Sequence, residues 1–443
     1  MQFRRIHTPS LALYSYLIAD GQKAAVIDPR TDVRVYLETA RDFGTKIVAI
    51  FETHRNEDFI SGASALGELT GAAVYHSAYE EHGHNYGKPI DESFRLQLDT
   101  WMLRPVHTPG HTLGHLSFLL AKESRAYMLF SGDTLFYGDI GRTDFYGESE
   151  LERMTGLLYD SIYQKILPLG DGVLLMPAHG PGSACGGKIE DRPYSTLGYE
   201  KANSPALQVR SKAEFVKLHA VMHPKPPYMG AMEKANLEAF TARDFLGNVA
   251  VDPSLEGRQL IDLRPRRAFL GGHLPGSIWI NAGILNAHLG WQVSAGWPLT
   301  FITEGMTRAE IEDACMVAAC MGYQDLAIYP SGLLKAQEVE GNPLQPLTEI
   351  APADLIAKRE EYFLLDVRRP DEILPDDLKS DRNIPVGVLG QMLKELPREA
   401  SICALCGSGE RATVAASVLQ MAGFHVQVIA GGNRAVRSLA GLE

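Results

Sequence analysis

The segment Thr53-His54-Arg55-Asn56-Glu57-Asp58-Phe59 carries the first recognisable chemistry in this 443-residue chain. It has the outline of a metal-binding loop, T-H-x-H-x-D-H, but two histidines are missing. Asn56 and Phe59 stand where a dinuclear zinc site would want imidazoles. Downstream, His107-Thr108-Pro109-Gly110-His111, Ser131-Gly132-Asp133-Thr134 and Pro177-Ala178-His179-Gly180 keep the rest of the pattern. The features to read first are therefore His54, His111 and Asp133. Two histidines and one carboxylate are the ligand set that suits non-heme Fe(II) and leaves positions open for oxygen and substrate. That points towards an oxygenase and away from a hydrolase.

A second chemistry lies near the end of the chain, in Cys406-Gly407-Ser408-Gly409-Glu410-Arg411. A cysteine leaving an apolar run, two glycines, an arginine and then a helical pattern describe a backbone cradle at a helix N-terminus. Such a cradle presents N–H groups to an anion, and the helix dipole favours a thiolate. Cys185, in Ser183-Ala184-Cys185-Gly186-Gly187, follows the His179 loop closely. It either handles sulfur beside the metal or is an ordinary buried cysteine.

These residues need rigid elements to place them. Lys46 to Phe51 reads as a strand that delivers His54, Ala126 to Phe130 as one that delivers Asp133, and Val173 to Met176 as one that delivers His179. Polar ligands just past buried strands are what a metal site requires. The two apolar runs around Asp20-Gly21 read as an opening β-hairpin rather than a signal peptide. Past His223-Pro224-Lys225-Pro226-Pro227-Tyr228, a bridge out of the first domain, the chain contains a diverged internal repeat. Leu260-Ile261-Asp262-Leu263-Arg264 is echoed by Leu364-Leu365-Asp366-Val367-Arg368. The first copy then reaches Tyr329-Pro330-Ser331-Gly332 where the second has its cysteine loop. Strand, loop and apolar helix in each copy are the grammar of a small α/β domain with a parallel sheet. The segment near 340 to 352 is the expected link between them.

Length suggests about three domains. Net charge is −12, with no basic run interleaved with aromatics, so neither nucleic acid nor an anionic membrane is an expected partner. Five cysteines without a framework spacing suggest reduced thiols and a cytoplasmic location. Cys403-Ala404-Leu405-Cys406 forms a C-x-x-C, but Cys403 lies inside an apolar run and reads as a buried strand thiol.

The four metal-site loops, in this order, resemble the metallo-β-lactamase fold over roughly residues 1 to 245. Within it they look most like the persulfide dioxygenases. The resemblance implies one Fe(II) per chain, held by His54, His111 and Asp133, with Asp58 and His179 as residues that orient ligands or hold water. It also implies that the losses at Asn56 and Phe59 remove a second metal site. Gly141-Arg142-Thr143-Asp144-Phe145 matches a stretch that shapes the active site in that family. Arg142 therefore either meets an anionic substrate group or tethers its loop through Asp144. The Cys406 loop with Asp366-Val367-Arg368 resembles the rhodanese family over about 350 to 443. There Cys406 is implied as the persulfide-bearing nucleophile, with Gly407, Ser408, Gly409 and Glu410 supplying the cradle and Arg411 holding the anion. Residues 246–345 resemble a rhodanese module that has lost its cysteine.

The expected architecture is thus an αββα sandwich followed by two α/β modules. The expected activity is oxidation of a low-molecular-weight persulfide, such as glutathione persulfide, to sulfite and thiol. Sulfur transfer through Cys406 would then form or use thiosulfate. Small persulfides, dioxygen, sulfite and thiosulfate are the expected partners, and a homo-oligomer is the expected assembly. A glyoxalase II-like zinc thioesterase is the rival, and a sulfur-sensing protein with an inert metal domain is the second.

Overall fold

A computed structural model of the chain describes residues 1–81, 83–240, 249–253, 255–334 and 343–442. The expected boundary at 245/246 and the start of the expected link near 340 lie outside these residues. The chain divides into two compact units, Met1–Gly247 with Ala319–Gly322, and Asn248–Ala318 with Tyr323–Glu443.

The first unit is built on two six-stranded sheets. One runs in chain order through Gln2–Thr8, Leu13–Asp20, Lys23–Ile27, Lys46–Phe51, Ala73–Ser77 and Lys88–Ile90. The other lines up Ser195–Thr196, Leu174–Pro177, Arg125–Gly132, Leu116–Lys122, Trp101–His107 and Leu96–Leu98. The expected opening hairpin forms, with Asp20 opposite Lys23 and Gly21 at φ +59° in its turn. Alternation along each strand sorts side chains onto two faces. Tyr16, Ile18, Ala49 and Phe51 pack between the sheets against Phe118, Leu120, Phe130 and Met176. Their neighbours Leu17, Ala19 and Ile50 face outward onto Tyr36, Ala40 and Leu66 of helices Arg34–Asp42 and Ala63–Thr70. On the opposite side, Leu119, Leu129 and Leu175 meet Leu158 and Phe215 of helices Leu151–Asp160 and Lys212–His219. This is the αββα sandwich expected from the sequence.

Two parallel strand pairs position the polar loops. Arg125–Gly132 and Leu174–Pro177 run side by side, with Gly132 opposite Pro177, so Asp133 and His179 leave adjacent strand ends. Lys23–Ile27 and Lys46–Phe51 end together at Ile27 and Phe51. That places Asp28 beside Thr53, whose amide and hydroxyl both donate to it at 2.8 Å.

The second unit contains two five-stranded parallel sheets with one shared topology. Across each sheet the strands, numbered within their copy, run first, fifth, fourth, second, third. The repeat extends to side chains. Arg264 clasps Asp262 through Nε and Nη2 at 2.9 and 2.6 Å, and Arg368 clasps Asp366 through the same atoms at 3.0 and 2.6 Å. Arg266 of the first copy donates to Thr413 and Glu349 of the second, both at 2.7 Å. All five cysteines are buried. Among the described residues, no helix is long and apolar enough to cross a membrane.

Candidate metal centre

His54, His111 and Asp133 converge, and a fourth group joins them. Glu57, one position after Asn56, sends its carboxylate between the two imidazoles, with Oε1 at 2.9 Å from His111 Nε2 and Oε2 at 3.5 Å from His54 Nε2. Asp133 Oδ2 lies 3.5 Å from His111 Nε2. Donor atoms of all four residues fall within 4.8 Å of one another, and all four residues are buried. His54 Nε2, His111 Nε2, Glu57 Oε2 and both Asp133 oxygens have no aligned hydrogen-bond partner. Buried polar atoms that face one another without bonding cost free energy unless something else satisfies them. A cation at their centre does so.

The imidazoles are oriented from behind. His111 Nδ1 donates to the Arg142 carbonyl at 2.9 Å, and His179 Nδ1 faces the Ala12 carbonyl at 3.3 Å. Carbonyls only accept, so both Nδ1 atoms carry the proton and both Nε2 lone pairs point into the site. His54 Nδ1 lies 2.9 Å from Thr53 Oγ1, whose own proton goes to Asp28. Asp133 is held through its backbone, which donates to His115 Nε2 at 3.0 Å. His115 is in turn fixed at Nδ1 by Thr108 and Thr134. Burial, with the nearby His54 and His111, pushes the His115 pKa well down and keeps it neutral.

The electrostatics ask for positive charge. Burial opposes charging His54, yet Glu57, Asp133 and Asp28 outweigh it and raise its pKa to about 10. Burial also opposes a charged Glu57, but His111 and His54 pull its pKa well below the usual range. Asp58 is pushed up to about 6 by burial, against the pull of His179. A metal ion meets the same demand without protonating any donor.

Arg142 does not stand free. Its guanidinium is bidentate to Asp144 at 2.7 and 2.8 Å, and Nη2 also donates to the His223 carbonyl at 3.0 Å. The anion expected of a substrate is thus supplied within the protein. Its backbone matters more: Arg142 N donates to the Cys185 carbonyl at 3.1 Å while its carbonyl orients His111. Cys185 is fully buried, with Sγ donating to Glu57 Oε1 at 3.3 Å. Its neighbours Asp58 and His179 stand close, with His179 Nε2 at 3.4 Å from Asp58 Oδ2. Glu57 escaped the sequence reading, although a carboxylate beside the lost imidazole at Asn56 was its available signal.

In the second unit, Cys406 ends the strand Ile402–Leu405 and is buried. Its Sγ accepts from Gly409 N at 3.1 Å and Ala412 N at 3.3 Å, at the start of helix Glu410–Met421. Gly409 adopts φ +99°, which a side chain would resist. Arg411 is bidentate to Glu372, both contacts at 2.6 Å, so its charge is already paired. Gly407 is half-buried, and Ser408 and Glu410 are exposed at the mouth of the loop.

The sequence profile described as the Metallo-beta-lactamase superfamily matches residues 11–179. Hydroxyacylglutathione hydrolase GloC of Haemophilus influenzae is 30% identical over 217 residues, 44% of this chain and 92% of that protein. The chain belongs to the metallo-beta-lactamase superfamily. A second superfamily member, persulfide dioxygenase ETHE1 of Mus musculus, is 29% identical over 245 residues, 53% of this chain and 87% of that protein. The crystal structure of a metallo-beta-lactamase from Staphylococcus aureus superposes with a TM-score of 0.67 at 29% identity, covering 74% of this chain and 98% of that one. The site is a metal-binding site of histidine, glutamate and aspartate donors on this superfamily's fold, and relatives of similar likeness act as hydrolase and as dioxygenase.

Proposed function

We propose that the first unit is a persulfide dioxygenase, with one Fe(II) held by His54, His111 and Asp133, and that Cys406 of the second unit transfers sulfane sulfur. The observation that carries the dioxygenase reading is the donor set. Two imidazoles and Asp133 present unpaired atoms to one point, while positions 56 and 59, which would complete an imidazole-rich pair of sites, hold Asn56 and Phe59. The dioxygenase relative supports the same reading. Iron, when bound, would mediate the transfer of electrons from an anionic sulfur to dioxygen.

The residues do the rest. The Arg142 carbonyl and Thr53 fix the rings of His111 and His54, and His115 fixes Asp133, so the open side of the centre keeps one orientation. Phe145 packs edge-on against His111 with ring centres 5.0 Å apart and shields that flank from water. Persulfide, dioxygen and water give thiol and sulfite. At the second site the Gly409 and Ala412 amides hold a thiolate or persulfide on Cys406. Transfer of the outer sulfur from Cys406 to sulfite gives thiosulfate and regenerates the thiolate; the reverse charges Cys406. The first α/β module, with no cysteine in its loop, serves as a silent support.

The test is oxygen consumption by anaerobically Fe(II)-loaded protein given glutathione persulfide, with sulfite and thiosulfate assayed together. Rapid uptake with sulfoxy products is expected. No uptake with one bound iron per chain overturns the reading. Cys406→Ser is expected to leave oxygen uptake intact and abolish sulfur transfer; loss of uptake in a folded, iron-loaded variant overturns the separation of the two sites. One observation favours a thioester hydrolase instead. Asp58, His179 and Cys185 form a second group of possible donors beside the first, and paired metals suit hydrolysis. Hydrolysis of S-lactoylglutathione without oxygen uptake would establish that alternative.

A further inference from the structure

We propose that the cysteine-less module positions the Cys406 loop of its neighbour, with Arg266 as the positioning residue that keeps the loop amides on the sulfur. The inference rests on the reading of Cys406 as a sulfur-transfer nucleophile, and it gives the copy without a cysteine a task in that reaction.

The helix Glu410–Met421, which starts at the Cys406 loop, is gripped along one face by the first copy. Arg266 Nε donates to Thr413 Oγ1 at 2.7 Å, and the Trp279 amide donates to Ser417 Oγ at 3.1 Å. A Cβ built on Gly409 would meet Arg266 Nη2 at 3.2 Å. Positions 409, 413 and 417 are four apart and so share one side of the helix. A second grip lies beside the Asp366-Val367-Arg368 turn. Gln292 Nε2 donates to the Val386 carbonyl at 2.9 Å, and the Val386 amide donates to the Val367 carbonyl at 3.1 Å. Trp291 packs so closely on Gly387 that a Cβ there would come within 2.8 Å of its ring.

The hydrogen bonds at the loop run in one direction. A guanidinium only donates, so Thr413 Oγ1 accepts from Arg266, and its own proton goes to the Gly409 carbonyl at 2.8 Å. Gly409 stands at φ +99°, and its amide is one of the two that reach Cys406 Sγ. The relay fixes the peptide on one side of Gly409 while the peptide on its other side holds the sulfur. Arg266 also donates to Glu349 at 2.7 Å, which ties the same fork to the strand Glu349–Ile350. The internal repeat sets this contact apart. Four residues past Asp262 stands Arg266, whereas four past Asp366 stands Pro370.

Net charge does not explain the arrangement. Arg411 pairs with Glu372, Arg368 with Asp366 and Asp377, and Arg437 with Asp376 and Asp377. Arg434 and Glu410 are exposed to solvent, and burial with the Arg411 charge keeps His288 of the first copy neutral. Arg266 brings its own counter-ion in Glu349. What it adds is geometry, because a thiolate is stabilised by amides aimed at it.

Iodoacetamide reacts with thiolate, so the full chain is alkylated at neutral and at alkaline pH, with Cys406 followed by peptide mass spectrometry. Arg266→Ala is expected to slow labelling of Cys406 about tenfold at neutral pH, the worth of one hydrogen bond to a charged group, and to leave the alkaline rate unchanged. Arg266→Lys is expected to restore little, because an ammonium lacks the fork that reaches Thr413 and Glu349 together. Unchanged labelling in Arg266→Ala overturns the proposal. So does faster labelling at both pH values, which marks a loop merely opened, and so does full rescue by lysine, which assigns the effect to charge. If Arg266→Ala does not fold, Thr413→Val, which removes only the relaying hydroxyl, decides by the same two rates. The expected slowing in a protein that never transfers sulfur sustains the positioning role and overturns only the transfer reading.

Discussion

Gly141→Ala should damage the metal centre although residue 141 donates nothing to it. A Cβ built there would lie 1.8 Å from the Asp133 carbonyl oxygen and 3.3 Å from His111 Nδ1. Ordinary contact needs about 3.5 Å, so something must move by roughly 1.7 Å. The Asp133 peptide is pinned by His115 on its amide, and the turn that follows it is closed by the Phe136 amide on the Asp139 carbonyl. If residue 141 retreats instead, it drags the Arg142 carbonyl away from His111 Nδ1. Either route displaces one donor by about an ångström, a shift that costs roughly 100-fold where geometry matters, and overpacking adds about 1–3 kcal/mol of instability. Competition with a chelator should show metal affinity falling at least tenfold, and thermal unfolding should fall with it. Gly44→Ala is the control. That glycine has φ +64° and nothing within 4 Å, so the change should cost about 1–2 kcal/mol of backbone strain and leave metal binding alone. A Gly141→Ala protein with wild-type metal affinity would refute the claim that the 133–142 loop is the rigid frame of the site.

Glu57→Gln keeps the shape but removes the charge between His54 and His111, and should weaken metal binding at least tenfold; unchanged affinity by chelator competition would make Glu57 a bystander. Asp377→Asn should destabilise the second unit by about 2–4 kcal/mol in urea unfolding, because the carboxylate accepts from Arg368, Arg437, Asn433 and the Leu374 amide at 2.8–2.9 Å. A smaller loss than about 1 kcal/mol would mean that the network is redundant. His288 is held at about 4 by burial and by the Arg411 charge, against about 6.5 when unfolded. The unfolded chain therefore takes up this proton first, so stability should be complete above pH 6.5 and fall by up to about 3 kcal/mol as pH drops to about 4. His288→Leu should flatten that slope, and an unchanged slope would assign it to other groups.

The strands that carry His54, Asp133 and His179 were legible because buried strands write continuous apolar runs that end abruptly at polar loops. The internal repeat was legible because Asp262-Leu263-Arg264 and Asp366-Val367-Arg368 each encode a two-residue clasp that forms without long-range help. Arg142 was half legible: its proximity to Asp144 in sequence allowed the clasp, but only the fold showed that its peptide links Cys185 to His111.

By itself, then, the sequence determined the strands, the repeated α/β modules and the loops that bear the chemistry, since these follow from local apolar periodicity and from residue types at strand ends, while the sandwich was implied by the resemblance of its metal-site loops to a known family. Tertiary structure decided which atoms share a site. Glu57 joins His54 and His111 because the fold turns its carboxylate between their two rings, a direction that motif spacing along the chain does not record. Cys185 meets Asp58 across 127 positions of sequence, and nothing in local patterning records that distance. Proximity between loops is set by how the two sheets close on one another, and that closure is a property of the packed core.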